Sequence, residues 1–437
     1  MMHKTFLIAI FSLWTLLHIP ILSLTNDLIK EPYMDETFHY HQALEIMNSP
    51  INPEWNPKIT TPPGLYYVTL ALTLGICDLR YFRFSSAFFN SLSLILVVLL
   101  LDKRGESPKR ATLMGIQVLL FPPLFFVGQV YYTDSGSLFF LLLCWYLREN
   151  DKVFESLCAG LMAISFRQTN LIWILFIGGL GISDSLNLQI EELLSVSKLI
   201  HRLNERNWKL LLWRFSGYFI LPIFTLAYFI RGNDGSIVAG DKENHKLSLH
   251  WAQVCYLSIF IAAFSGLGID VIMSPRISLH QIWRSLNFLI LNFACSLAFI
   301  HRFTIVHPFI LADNRHYTFY LWSKFFNVYW ANKYLITPLY AIALTLEQVE
   351  IINSSSLVST MGFLVAVILS LVPLPLFEPR YFIVPFTCYS ILTSRSRSER
   401  AFYMSISSLL VLNGLVLYIF WFKPFVWVDG SVARFMW

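Results

Sequence analysis

The chain has 437 residues, of which 56% are hydrophobic and only 14% charged, with a formal net charge of +5. Soluble domains carry roughly 25% charged residues, so water cannot cover this surface and the chain reads as an integral membrane protein. The basic residues fall in short runs between apolar stretches, which argues against nucleic acid as a partner.

In chain order, apolar runs occupy 5–24, 84–101, 111–130, 136–147, 153–166, 170–183, 210–230, 250–272, 280–300, 330–346, 356–376, 381–393 and 403–422. A span needs about 20 apolar residues, so these runs predict an all-α polytopic membrane protein, a bundle of about thirteen transmembrane helices forming one domain over 1–437. The first run exceeds a signal-peptide h-region and no A-x-A site follows it, so it reads as an uncleaved span. The run 64–77 is short for a crossing and reads as re-entrant or interfacial, inside a first loop covering 25–83. Six cysteines (Cys77, Cys144, Cys158, Cys255, Cys295, Cys388) sit in apolar runs without CxxC or metal-ligand spacing, as small buried hydrophobes do.

With 64–77 not crossing, the connections alternate. One side collects Lys4, the basic run at 102–110, Arg148, Lys152, the long connector 184–209, Arg276, Arg395, Arg397 and Arg400. These plain basic loops mark the cytoplasm under the positive-inside rule, and put the N-terminus there. The sequon residue Asn353 falls on this side, and 184–209 reads as a surface helix. The opposite, luminal side collects the loop around Asp35, 131–134, 167–170, a lid-like loop at 231–249, the long loop 301–329, 378–380 and the C-terminal stretch 423–437. These segments mix acids, bases, amides and aromatics.

Ionisable side chains beside a bilayer are costly and need a reason. Asp35 and Glu36 are adjacent and therefore point in different directions, so that one can act while the other binds or holds structure. A partly desolvated carboxylate there suits a general base. His39 and His41 flank it; His-x-His spacing permits metal binding on an extended segment, but the strong zinc spacings are absent. Thr60–Thr61–Pro62–Pro63–Gly64 makes a rigid bend that pins the acidic loop. Arg83 opens the next span, where a cation opposes the helix dipole, and so points to an anion such as a lipid phosphate. Asp134, then Arg167 with Gln168 and Asn170, emerge on the same side. So do His307, Asp313, Asn314, Arg315 and His316, then Glu378 with Arg380, while the lid-like loop brings Lys242, Asn244 and His245. Together they offer cations for phosphate, hydrogen-bonding groups for hydroxyls and flat faces for sugar rings.

The blocks PYMDETFHYHQA, WNPKITTPPGLY, SFRQTNLIW, GDKENH, HPFILADNRHYTFYLW and EPRYF, in this order, resemble those of the endoplasmic-reticulum α-1,2-glucosyltransferase family that uses dolichyl-phosphate glucose. The resemblance spans nearly the whole chain. It implies a multi-span glycosyltransferase of the GT-C type, with luminal loops forming the active site in the endoplasmic-reticulum membrane. The implied reaction moves glucose from dolichyl phosphate glucose to the dolichol-pyrophosphate-linked oligosaccharide, as its terminal glucose, with inversion to an α-1,2 linkage. It implies no metal and no cofactor, a monomer among membrane lipids, and two lipid-linked substrates. In residues, the resemblance puts the general base at Asp35 with Glu36 beside it, a phosphate-side arginine at Arg83 and a second acid at Asp134. Arg167, Gln168, Lys242, His245, Asn314, Arg315, His316, Glu378 and Arg380 stand as substrate-binding candidates, with His39 and His41 as further ones. Two other readings remain at this point: a dolichyl-phosphate mannosyltransferase, and a transporter or flippase. The last would place ionisable residues inside several spans and repeat its halves; here such residues crowd the span ends.

Overall fold

The computed structural model describes residues 4–186, 208–394 and 398–437, so most of the 184–209 connector, and Arg395 and Arg397, lie outside the described residues. Helices dominate, because backbone polar groups in lipid must pair within their own segment. Among the described residues, five helices are long and apolar enough to cross a membrane: Lys4–Leu28, Leu79–Lys103, Lys209–Gly232, Asn332–Ser354 and Glu399–Phe422. The pair Ala252–Phe264 and Leu267–Met273, bent by 58°, makes a sixth if taken as one span. Val153–Phe166, Asn170–Leu186, Leu286–Arg302 and Leu357–Leu371 are shorter apolar helices.

Fewer helices meet that length test than the apolar runs suggested, because proline and glycine break several runs. The run at 111–130 stops at Leu119 and restarts as Pro122–Val127. Pro122 and Pro123 supply no N–H to the preceding turn; the Asn413 amide donates to the Leu120 carbonyl there at 2.8 Å. At the 58° bend, Gly266 takes φ +86°, a left-handed conformation that glycine adopts without penalty. The run 64–77 yields only the nine-residue helix Gly64–Leu72. At 1.5 Å per residue it is about 14 Å long, under half of a bilayer core. Its first residue has no room for a side chain, since a Cβ on Gly64 would lie 2.2 Å from Ser165 Oγ.

The loops sort to two ends. At one end, Lys109 pairs with Glu399 at 2.7 Å, Arg110 donates to the Ser394 carbonyl at 2.6 Å, Ser398 bonds Asp270 at 2.8 Å and Arg148 pairs with Asp184 at 2.6 Å. These are the basic connections grouped together by the sequence. The opposite end joins the Asp35 loop, 131–134, 167–170, 231–249, 301–329, 378–380 and the C-terminal tail. That tail forms a short antiparallel hairpin, Phe425–Val426 with Val432–Ala433, and bridges His316 through Met436. Between the ends lies an apolar core in which Phe121 stacks on Phe386 at 4.2 Å.

Candidate active site

The site grows from the start of the helix Asp35–Asn48. Asp35 and Glu36 occupy its first turn, where acids complement the helix dipole. Met34 before them is held at φ +57°, unusual for a residue with a Cβ. This sharp entry sends the two carboxylates opposite ways. Glu36 turns inward and is fully buried. It accepts from Arg83 Nε at 2.8 Å and Nη2 at 2.6 Å, from the Tyr131 amide at 2.8 Å and from the Tyr33 amide at 3.0 Å.

Arg83 is likewise buried, at 1% exposure. Its remaining N–H groups reach Asn26, the Ile29 carbonyl and the Glu31 carbonyl. A guanidinium has five N–H donors, and all five are used inside the protein. The anion that Arg83 answers is therefore Glu36, not a lipid phosphate. This corrects the expectation for Arg83, and it makes Glu36 the structural member of the adjacent pair.

Asp35 turns outward, its side chain 43% exposed. Arg380 Nη2 donates to it at 2.9 Å. Burial works against its charge, but Arg380, with His39 and His316 adding to it, holds the Asp35 carboxyl below the usual carboxylate range. Arg380 is the hub. It bonds Glu378 through Nε at 2.6 Å and through Nη2, reaches Asp134 at 3.8 Å, and lies over the Tyr132 ring at 4.7 Å. Burial opposes its charge as well, yet Glu378, Asp35 and Asp134 raise its pKa well above the ordinary value. Asp134 also accepts from Arg167, whose guanidinium sits 5.4 Å over the Tyr381 ring. Four predicted segments thus meet in one connected charge network.

The strand-like approach to Arg380 is itself pinned. His250 and Ser248 donate their amides to the Val372 and Pro373 carbonyls at 2.9 Å, and Gln253 donates to the Leu376 carbonyl at 2.8 Å. The Pro-rich bend is fixed as firmly. Gln168 donates to the Thr60 carbonyl at 2.9 Å, Asp241 to the Pro57 carbonyl at 2.7 Å and Ala239 to the Thr60 carbonyl at 3.2 Å. Against this bend Gly240 presses so close that a Cβ would lie 2.2 Å from the Pro57 carbonyl oxygen.

These loops enclose a cavity of about 620 Å³, a size typical of small-molecule sites. Asp35, His39, Arg167, His245, His316, Glu378 and Arg380 line it, as do Lys58, Tyr132, Asp241, Asn244, Asp313 and Trp427. His39 is buried against Tyr66, whose hydroxyl is 2.8 Å from Nδ1, and burial lowers its pKa to about 4. His41 lies two helical residues on and is exposed, so on this helix the His-x-His pair diverges. His316 Nδ1 meets the Trp437 carbonyl at 3.1 Å, which ties the C-terminus to the site.

Other candidates stand back from the cavity. Lys242 pairs with Asp234 at 3.3 Å. Arg315 is held by Asp313 at 2.7 and 2.8 Å and stacks 4.3 Å over Trp427. Asn314 lies between these residues and does not line the cavity wall. Sequence reasoning passed over Lys58, although it stands in the WNPKITTPPGLY block, and over Tyr132, Asp241 and Trp427. Trp427 reaches the cavity only because the tail folds back onto His316 and Tyr33, a contact across about the whole chain length that no local pattern encodes.

The model of the DIE2/ALG10 family matches residues 29–391. The chain is 29% identical to the Dol-P-Glc:Glc(2)Man(9)GlcNAc(2)-PP-Dol alpha-1,2-glucosyltransferase of Arabidopsis thaliana over 100% of both chains. It is 31% identical to the protein of that name in Rattus norvegicus and 30% identical to one in Homo sapiens, over 94% of each chain. No solved structure matches. With a family model covering most of its length and relatives aligned nearly end to end, the chain belongs to the DIE2/ALG10 family of glycosyltransferases.

Proposed function

We propose that the protein transfers glucose from dolichyl phosphate glucose to the diglucosylated, dolichol-pyrophosphate-linked oligosaccharide, forming the terminal α-1,2 linkage. The names of its full-length relatives support the donor and the acceptor. On this reading the chain crosses the endoplasmic-reticulum membrane about thirteen times, with its N-terminus in the cytoplasm and the cavity in the lumen. It works as a monomer, without metal or cofactor.

The observation that carries the mechanism is the outward carboxylate of Asp35, held ionised by Arg380 at the wall of the cavity. Asp35 takes the proton from the acceptor 2-hydroxyl as that oxygen attacks the anomeric carbon of the donor. The bond from that carbon to the phosphate oxygen breaks, and its electron pair stays on the leaving phosphate. One displacement from the face opposite the phosphate inverts the configuration. Arg380 orients the base and lowers its basicity, so proton transfer follows acceptor attack late in the step. Holding both substrates in one cavity supplies much of the rate.

The test is transfer by the purified full chain, supplied with labelled dolichyl phosphate glucose or dolichyl phosphate mannose and the diglucosylated acceptor. Glucose transfer yielding one added α-1,2-linked residue is the expected result. Mannose transfer, or transport of lipid without transfer, would overturn the assignment.

A further inference from the structure

We propose that Lys58 is the cation that receives the phosphate of the lipid-linked donor and stabilises it as it leaves. The inference rests on the reading above, that a phosphate-linked lipid enters this cavity.

A phosphodiester gains a negative charge when its sugar departs, and a cation facing it stabilises that charge in a water-poor site. The cavity is poor in available cations. Four carboxylates line it (Asp35, Asp241, Asp313 and Glu378), with Asp134 just behind. Arg380 is shared among Asp35, Glu378 and Asp134, and Arg167 is bound to Asp134. His245 lies 3.5 Å from Asp241, and His316 lies 3.9 Å from Asp313. Arg83 is saturated by Glu36 and backbone carbonyls away from the cavity. Among the described residues, Lys58 is the cavity-lining cation with no carboxylate within ion-pair distance. Its ammonium instead lies 5.0 Å over the ring of Phe38, which also lines the cavity. A ring face stabilises an ammonium without neutralising it.

The backbone around Lys58 is fixed from all sides. Its own amide donates to Asn56 Oδ1 at 3.0 Å, the next residue Ile59 is buried and its carbonyl accepts from Trp55 Nε1 at 3.3 Å. Pro57 and Thr60 carry the bonds from the 231–249 loop and from Gln168. A surface lysine on a free loop has no such support. Here the turn holds an exposed, strongly charged point donor against an aromatic face of the cavity wall, over the ring three residues along the helix from Asp35.

The experiment measures binding of labelled dolichyl phosphate, and of uncharged dolichol, to the full-length protein in nanodiscs, for the native chain, Lys58→Met, Lys58→Gln and Lys58→Arg. Losing one hydrogen bond to a charged group predicts roughly tenfold or greater weakening of dolichyl phosphate binding in Lys58→Met and Lys58→Gln. Dolichol binding stays unchanged, and Lys58→Arg keeps most of the phosphate affinity. Donor KM rises in the same two variants, and product inhibition by dolichyl phosphate weakens in parallel. Equal affinity for dolichyl phosphate in the native chain and in either neutral variant, with matching melting temperatures, overturns the proposal. So does an equal loss of dolichol binding, which marks a structural role. Because the ligand carries no sugar, these readings are independent of which sugar the enzyme transfers.

Discussion

Arg83 and Arg380 are both arginines beside carboxylates at one end of the molecule, yet burial gives them opposite work. Arg83 and Glu36 are sealed at 1% and 0% exposure and complete each other's hydrogen bonds. Removing one partner of such a pair strands a buried charge, at a cost of about 3–5 kcal/mol. Arg83→Met should therefore lower the melting temperature sharply. Any protein that folds should retain phosphate affinity, which a donor-binding Arg83 would not allow. Arg380 keeps one side toward the cavity, where it holds the Asp35 carboxylate that we propose as the base. His39 adds a pH signature. Its folded pKa, about 4, lies below its ordinary 6.5, so between those values the unfolded chain binds more protons. The stability contributed by keeping His39 neutral is present above pH 6.5 and is lost as pH falls toward 4. Melting temperature should fall between pH 7 and pH 5, and His39→Gln should shrink that fall; an unchanged decline contradicts the assignment.

At the scale of elements, the cavity depends on segments distant in sequence that lock through backbone bonds. The loop 231–249 lies on the Pro-rich bend through Ala239, Gly240 and Asp241. Gly240→Val puts atoms where the Pro57 carbonyl stands, so this loop should lift. Activity should drop by roughly the 10²-fold that misplacement by 1 Å can cost, and limited proteolysis should newly cut within 231–249. Thermal stability should change little, because the loop buries few apolar side chains. Much of this was readable in advance. The acids at a helix start, the Thr-Pro-Pro-Gly bend and the Glu378–Arg380 pair follow from local chemistry. What the bend holds in place did not follow, since Gln168, Asp241 and Gly240 reach it only through the fold. The misassignment of Arg83 has the same origin: a cation at a helix start announces an anion nearby, but residue spacing does not reveal that Glu36, 47 positions earlier, is that anion.

For the whole molecule, the division into two ends is the property on which the site depends. Plain basic loops pair among themselves at one end, through Lys109–Glu399 and Arg148–Asp184. The mixed loops gather at the other, through Arg380, Asp134 and Asp35. This sorting was legible because charge placement in loops records sidedness. The lengths of individual spans were less so, since Pro122, Pro123 and Gly266 interrupt runs that hydropathy reads as continuous. The role proposed for the outward carboxylate at this end is that of the base. It is tested most directly by the glucose-transfer rate of Asp35→Asn beside the native protein, in matched membranes and at saturating donor and acceptor. A fall of about 10²–10⁴-fold in rate, with an unchanged melting temperature and unchanged dolichyl phosphate binding, is the expected result. Transfer at nearly the native rate would remove Asp35 from the chemistry.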